Sequence, residues 1–239
     1  MCGRYVRRSD KQRIAEYFHA SPQPPELPMP GEDYNVAPTT FQPIIRQSRD
    51  SGEREMVLAR WGLVPFFTKD LKDVKGLSTI NARAETIMKA PTWREPMKKR
   101  RCIIPANAFF EWSKVSPPLK QPYTFELANG NLLGFAGLWD AWKDPQGHWL
   151  QSFAIVTTQA NELMARVHPR MPVILHPRDY DRWLDREETE RLPLDLLRPL
   201  ESDEMEMTAA NPKVGNVRNN GPELMRAAAA ASETGELPL

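Results

Sequence analysis

The chain has 239 residues, enough for one large domain or two small ones with a substantial core. Its 41% hydrophobic and 26% charged residues are those of an ordinary globular protein, and a net charge of +1 excludes the global basic field that wraps duplex DNA. Any nucleic-acid contact must then come from a local cluster. Two cysteines, Cys2 and Cys102, make no disulfide framework. No run approaches the ~20 apolar residues of a membrane span, and Arg4, Arg7 and Arg8 stand where a signal peptide would be apolar. The expected location is the cytoplasm.

Residues 3–8 read as a short strand and 9–19 as a helix, with Ser9 or Asp10 as its cap and Ile14, Tyr17 and Phe18 on one face. The proline-rich run from Pro22 to Gly31 fits neither a helix nor a central strand and is expected to be a surface loop. Ile44–Gln47 and Met56–Trp61 read as a hairpin around the polar turn 49–54. Arg101–Trp112 reads as two buried strand pieces broken at Pro105. Tyr123–Leu127, Leu133–Leu138 and Ser152–Thr157 complete a β-rich middle, with turns at Asn129-Gly130 and Pro145-Gln146-Gly147. Helices are expected at Glu162–Val167 and Pro177–Leu184. The strands are not separated by regular helices, so a doubly wound sheet is excluded in favour of one α+β domain. Its sheet is expected to be curved, barrel-like and mainly antiparallel, flanked by helices. This domain is expected over residues 1–225, followed by a flexible tail over 226–239 that lacks apolar periodicity.

Cys2 is the first residue that could carry chemistry. If Met1 is removed, its α-amine and thiol sit on one Cα, with reference pKa values of about 7.7–8.0 and about 8.5. The amine can condense with an aldehyde and the thiol can close a thiazolidine ring, which an internal cysteine cannot do. Glu111 lies between Phe110 and Trp112. Strand alternation puts it on the solvent face, whereas aromatic walls would raise its pKa toward that of a general acid. His168 stands in the rigid sequence His168-Pro169-Arg170-Met171-Pro172. Asn81-Ala82-Arg83-Ala84-Glu85 would, as a strand, put Asn81, Arg83 and Glu85 on one face. Arg4, Arg83 and Arg170 each lie two residues beyond a candidate site residue, a recurrence that suits forks for phosphate. Trp61, before Gly62, reads as core or as a stacking platform for an unpaired base. Lys98-Lys99-Arg100-Arg101 reads as a solvated face or an extended phosphate track. No spacing of His, Cys or carboxylates suggests a metal site, and no cofactor is expected.

Taken in order, these segments resemble the SRAP family, the SOS-response-associated peptidase domain that includes abasic-site DNA–protein crosslinkers. The blocks are Met1-Cys2-Gly3-Arg4-Tyr5, Tyr34-Asn35-Val36-Ala37-Pro38-Thr39, Trp61-Gly62-Leu63-Val64-Pro65, Asn81 to Thr86, Arg101–Trp112, Gly134 to Trp139, Ile155 to Thr158, His168 to Pro172 and Gly215 to Pro222. Pro169 departs from the residue the family often has after the histidine, but leaves His168 matched. The resemblance implies a sensor of abasic sites in single-stranded DNA that crosslinks through Cys2, with lyase-like and self-processing peptidase activity. It implies catalytic roles for Cys2, Asn81, Glu111 and His168. Arg4, Arg83 and Arg170 would contact phosphates, Pro38 and Trp61 would wedge against bases, and Thr157 would hydrogen-bond at the site. The partner implied is abasic single-stranded DNA, with no membrane, and the protein would act as a monomer.

The same opening residues fit three rivals. A class II glutamine amidotransferase also begins Met-Cys-Gly, with the Cys2 amine as base, but no glutamine clamp is apparent and Asn129-Gly130 reads as a hairpin turn. A cysteine peptidase would pair Cys2 with His168. A non-covalent single-stranded DNA-binding module would give affinity without an adduct.

Overall fold

The computed structural model describes residues 2–74, 79–113 and 121–227. The tail expected from residue 226 therefore lies, but for Arg226 and Ala227, outside the described residues.

The chain opens with β1 (Tyr5–Arg7), too short to be stable alone and buried along its whole length. In α1 (Lys11–Phe18), the Asp10 side chain accepts from the Arg13 N–H, and left-handed His19 ends the helix. Ile14 and Phe18 form its buried face. β2 (Ser21–Pro22) sits at a sheet edge, where a proline is readily tolerated. β3 (Asp33–Val36) leads into β4 (Phe41–Gln47) and β5 (Arg54–Trp61), the expected hairpin with longer arms.

After β6 (Asn81–Arg83) comes α2 (Pro91–Lys99), which the sequence reading did not anticipate. Pro91 takes the first helical position, where its missing N–H is no loss, while Pro96 inside the helix hides the pattern. β7 (Arg101–Ala106) and β8 (Ala108–Ser113) follow, and here an expectation is corrected. The break falls at Asn107; Pro105 stays within the ladder opposite Gly134. β9 (Gln121–Leu127), β10 (Leu133–Lys143) and β11 (Trp149–Gln159) complete the middle. α3 (Glu162–Ala165), β12 (Arg170–Pro172), α4 (Tyr180–Leu184) and β13 (Met205–Ala209) close the fold.

Five strands make a closed barrel. The order β5-β4-β7-β10-β11 is antiparallel throughout, and a parallel pairing of β11 with β5 shuts it at Phe153↔Trp61. β6 adds to β11 in parallel and β12 in antiparallel fashion. A second sheet, ordered β13-β9-β8-β1-β3, packs against the barrel. One core holds Tyr5, Phe109 and Phe125 of that sheet with Trp61, Ile104, Phe135 and Phe153 of the barrel. A second core seats Ile14, Phe18, Met97 and Trp183 of the helices on Ile45, Ile103, Ala136 and Ala154. Each fully buried Phe or Ile adds roughly 1.5–3 kcal/mol, so the two apolar layers carry the fold.

Arg101 corrects another expectation. Far from a solvated face, it is buried and donates to the carbonyls of Met97, Lys98, Trp183, Asp185 and Glu188. It thereby satisfies carbonyls at the ends of α2 and α4 that no intrahelical N–H can reach. Burial pushes its pKa down to about 10, so it still carries its charge at neutral pH.

Candidate active site

Cys2 is fully buried, and two neighbours hold it. The Asn81 side-chain amide donates to the Cys2 carbonyl at 3.0 Å. The pairing of β1 with β8 places Tyr5 opposite Phe109, and Phe110 N–H donates to the Arg4 carbonyl. Continued by two residues, that register sets Gly3 opposite Glu111, and the Glu111 carboxyl is near enough to the neighbouring Cys2 for its charge to act on the thiol. Glu111 is 4% exposed, which rules out the solvent-face reading.

The thiol is held well above its ordinary range. Burial is the largest cause, the negative field of Glu111 adds to it, and the Arg4 backbone N–H acts in the opposite direction. With Met1 in place, the sulfur is therefore a neutral S–H at physiological pH.

A second group lies along β11. His168 is half-buried, and its Nδ1 lies 3.0 Å from the Arg170 backbone nitrogen and 3.1 Å from the Arg170 carbonyl oxygen. The Arg170 guanidinium makes a bidentate pair with Glu85, at 2.5 and 3.0 Å, and also donates to the Thr157 carbonyl. Thr157 in turn pairs with Arg83 across the β11–β6 ladder. The hydrogen bond to Arg170 holds the Glu85 carboxyl below its usual range.

Several expectations are revised by this geometry. β6 ends at Arg83, and Ala84–Thr86 turns as a 3₁₀ segment, so Glu85 leaves the shared face and pairs with Arg170 instead. The Arg170 fork is thus already occupied by a carboxylate. Trp61 is wholly buried: its Nε1 donates to the Ile80 carbonyl, and its ring packs against Phe153 and Tyr5. It offers no ring face to a base, so the stacking role does not fit this structure. Thr157 is fully buried, with its hydroxyl turned to the Ala82 carbonyl and the Arg170 guanidinium. Pro38 is half-buried in the turn between β3 and β4, beside Thr39, whose N–H donates to the Trp61 carbonyl. Arg83 is exposed, whereas Arg4 is half-buried and donates to Asn35 and to the Val214 carbonyl.

Two features escaped the sequence reading. Buried Asn35 donates to the carbonyls of Val214, Asn216 and Asn219, so one amide anchors the loop that Arg4 also reaches. Phe66 and Phe67 are about half exposed and pack edge to face. Two adjacent aromatics after Pro65 were the available signal, since neighbours in an extended segment point to opposite sides and cannot share one core.

Cys2, Asn81 and Glu111 thus form one buried cluster, and His168, Arg170, Glu85 and Thr157 form a second beside β11. The chain belongs to the SRAP family: the family model described as SOS response associated peptidase matches residues 1–217. It is 40% identical over 229 residues to the Bacillus subtilis abasic site processing protein YoqW, covering 94% of this chain and 99% of that one. The mouse abasic site processing protein HMCES is 31% identical over 227 residues, covering 80% of this chain and 64% of HMCES. A crystal structure from Bacteroides thetaiotaomicron superposes with a TM-score of 0.84 at 27% identity, covering 95% of this chain and all of the other. One from Bordetella bronchiseptica gives 0.74 at 31% identity over 88% of this chain and all of its own.

Proposed function

We propose that this protein processes abasic sites in single-stranded DNA by forming a covalent adduct through Cys2 once Met1 has been removed. The observation that carries the reading is the fixation of Cys2 between Asn81 and Glu111, in a chain whose relatives are named abasic site processing proteins.

The ring-opened abasic sugar presents an aldehyde. The Cys2 amine adds to C1′ to give a carbinolamine, and loss of water, with Glu111 delivering the proton to the departing hydroxyl, gives the imine. The thiol then adds to that imine carbon. Its S–H proton passes to the nitrogen through Glu111, and a thiazolidine closes with no oxidant or reductant consumed. The burial of the sulfur suits this order, because the amine reacts first and the thiol is needed only afterwards. His168 acts beside the sugar in ring opening, and Asn81 fixes the backbone of the nucleophile. Arg4, Arg83 and Arg170 serve the phosphates, with Pro38 at the edge of the site and Thr157 supporting Arg170.

A peptidase acting before Met1 is removed would need a thiolate at neutral pH, which burial of the sulfur and the Glu111 carboxyl beside it both oppose. Intact-mass spectrometry after incubation with abasic single-stranded DNA tests the proposal. The expected product is protein lacking Met1 plus the oligonucleotide minus one water, stable to heat and absent in Cys2→Ala. Unmodified wild-type protein overturns it.

A further inference from the structure

At the barrel rim where β4 and β10 end and β7 and β11 begin, the structure has a cavity of about 330 Å³. Its cationic walls come from four separate places. Arg46 is the last residue but one of β4, Arg49 sits in the following turn, Lys99 and Arg100 close α2, and Arg186 follows α4. Two lining carboxylates, Asp50 and Glu55, oppose them. This rim lies toward the opposite end of β11 from Thr157, and no residue of the Cys2 site lines the cavity.

Part of this positive charge is neutralised and part is left over. Glu55 neutralises Arg46 at 2.6 Å, and buried Asp140 lies 3.1 Å from Arg100. Arg186 meets only the exposed carboxyl of Glu187, at 3.6 Å, where water screens the pair. Lys99 and Arg49 have no carboxylate partner among the described residues, and the buried Arg100 Nη2 has no hydrogen-bond acceptor there. The end of α2 would normally face such a cavity with bare carbonyls and repel an anion. Here Arg101 takes the carbonyls of Met97 and Lys98, and the Arg100 N–H takes that of Pro96. On the far wall the Arg46 guanidinium lies 4.1 Å from the centre of the Trp139 ring, giving a flat surface.

We propose that this cavity is a second ligand site, which binds a nucleotide with its phosphate between Lys99, Arg100 and Arg186 and its base on the Arg46–Trp139 stack. The volume is that of a small-ligand pocket, and Lys99 without a carboxylate partner, Arg186 in a screened surface pair and the open Arg100 Nη2, beside a flat cationic stack, select a planar group bearing a phosphate over a simple carboxylate. The nucleotide comes either free or as part of a nucleic-acid strand.

Titration calorimetry with ADP and with a short intact single-stranded oligonucleotide separates the two sources. Wild-type protein is expected to bind at least one of these saturably. The Lys99→Gln/Arg186→Gln variant is expected to bind that probe at least about tenfold more weakly, since it loses two charge-assisted contacts to the phosphate. Loss confined to ADP assigns the free nucleotide, and loss with the oligonucleotide assigns the strand. The Lys99→Arg/Arg186→Lys variant, which keeps the charges, should retain binding, and matching thermal melts should show that both variants fold. Adduct formation with saturating abasic DNA should be unchanged in the neutral variant, so this test does not depend on the Cys2 chemistry. Equal binding by wild type and the neutral variant overturns the proposal, as does no saturable binding of either probe.

Discussion

The side-chain amide of Asn81 donates to the backbone carbonyl of Cys2 at 3.0 Å, joining β6 to the very start of the described chain. Both residues are buried, so water does not replace the bond when it is removed. Leaving a buried carbonyl unpaired costs about 1–3 kcal/mol, and that cost falls on the residue whose amine must be aimed. Asn81→Ala is therefore expected to slow adduct formation by about 5- to 100-fold in single-turnover assays. Affinity for intact single-stranded DNA should move by no more than about twofold, because Asn81 carries no charge to meet a phosphate. A parallel fall in both would make Asn81 a general structural residue.

Arg170 gives a second test, because its fork is held by Glu85 in a bidentate pair. A phosphate must either displace that carboxylate or bind beside it. Glu85→Gln removes the competing charge, so affinity for intact single-stranded DNA should rise at low salt. The slope of log affinity against log salt should steepen by about one phosphate contact, roughly 0.7 for a single strand. Weaker binding with a shallower slope would show instead that Glu85 holds Arg170 in its binding position.

Local rules made parts of this molecule legible. Asp10 caps α1 as its sequence position implies, and the β4–β5 hairpin and the β10–β11 pair sit where polar turns interrupt apolar runs. α2 was hidden because Pro96, inside the helix, breaks its pattern. The site was legible as residue types and spacing around Cys2, Asn81, Glu111 and His168. What the sequence could not show was occupancy at long range. Arg170 meets a carboxylate 85 residues earlier in the chain, and Arg101 turns inward to carbonyls more than 80 residues later. Trp61 exposes the same limit: a ring beside a glycine turn reads equally as platform or core, and only the closure of β5 on β11 decides it.

The two cysteines make the fold sensitive to alkali. Cys2 and Cys102 are both fully buried, and burial raises both thiols above their ordinary value near 9.0. In the unfolded chain these thiols ionise as pH passes about 9, while in the folded protein they hold their protons. The unfolded state then binds fewer protons, and stability falls with rising pH. The stabilising contribution is complete below the unfolded value and is lost progressively above it. Urea denaturation at pH 8 and pH 10 should show this loss, and Cys102→Ala should make it smaller than in wild type. An unchanged difference in that variant would assign the alkaline sensitivity to other groups, such as the buried Tyr5.

Gly137 lies in β10 between Cys102 of β7 and Ile155 of β11, where three barrel strands pass side by side. A Cβ there would overlap Ile104 Cδ1, and would lie 3.0 Å from the Cys102 sulfur and 3.1 Å from the Ala154 carbonyl. The backbone carbonyl cannot yield without breaking the ladder, so Gly137→Ala should cost about 1–3 kcal/mol, the usual range for overpacking a filled core. In a domain of this size that lowers the melting temperature by several degrees, at about 2–4 °C per kcal/mol. The closest overlap is with a single methyl group, which Ile104→Val removes. The double variant should therefore be more stable than the sum of the two single losses implies, a coupling that a double-mutant cycle in urea measures directly. Simple additivity would show that the Ala154 carbonyl, not Ile104, sets the limit on how closely these strands approach.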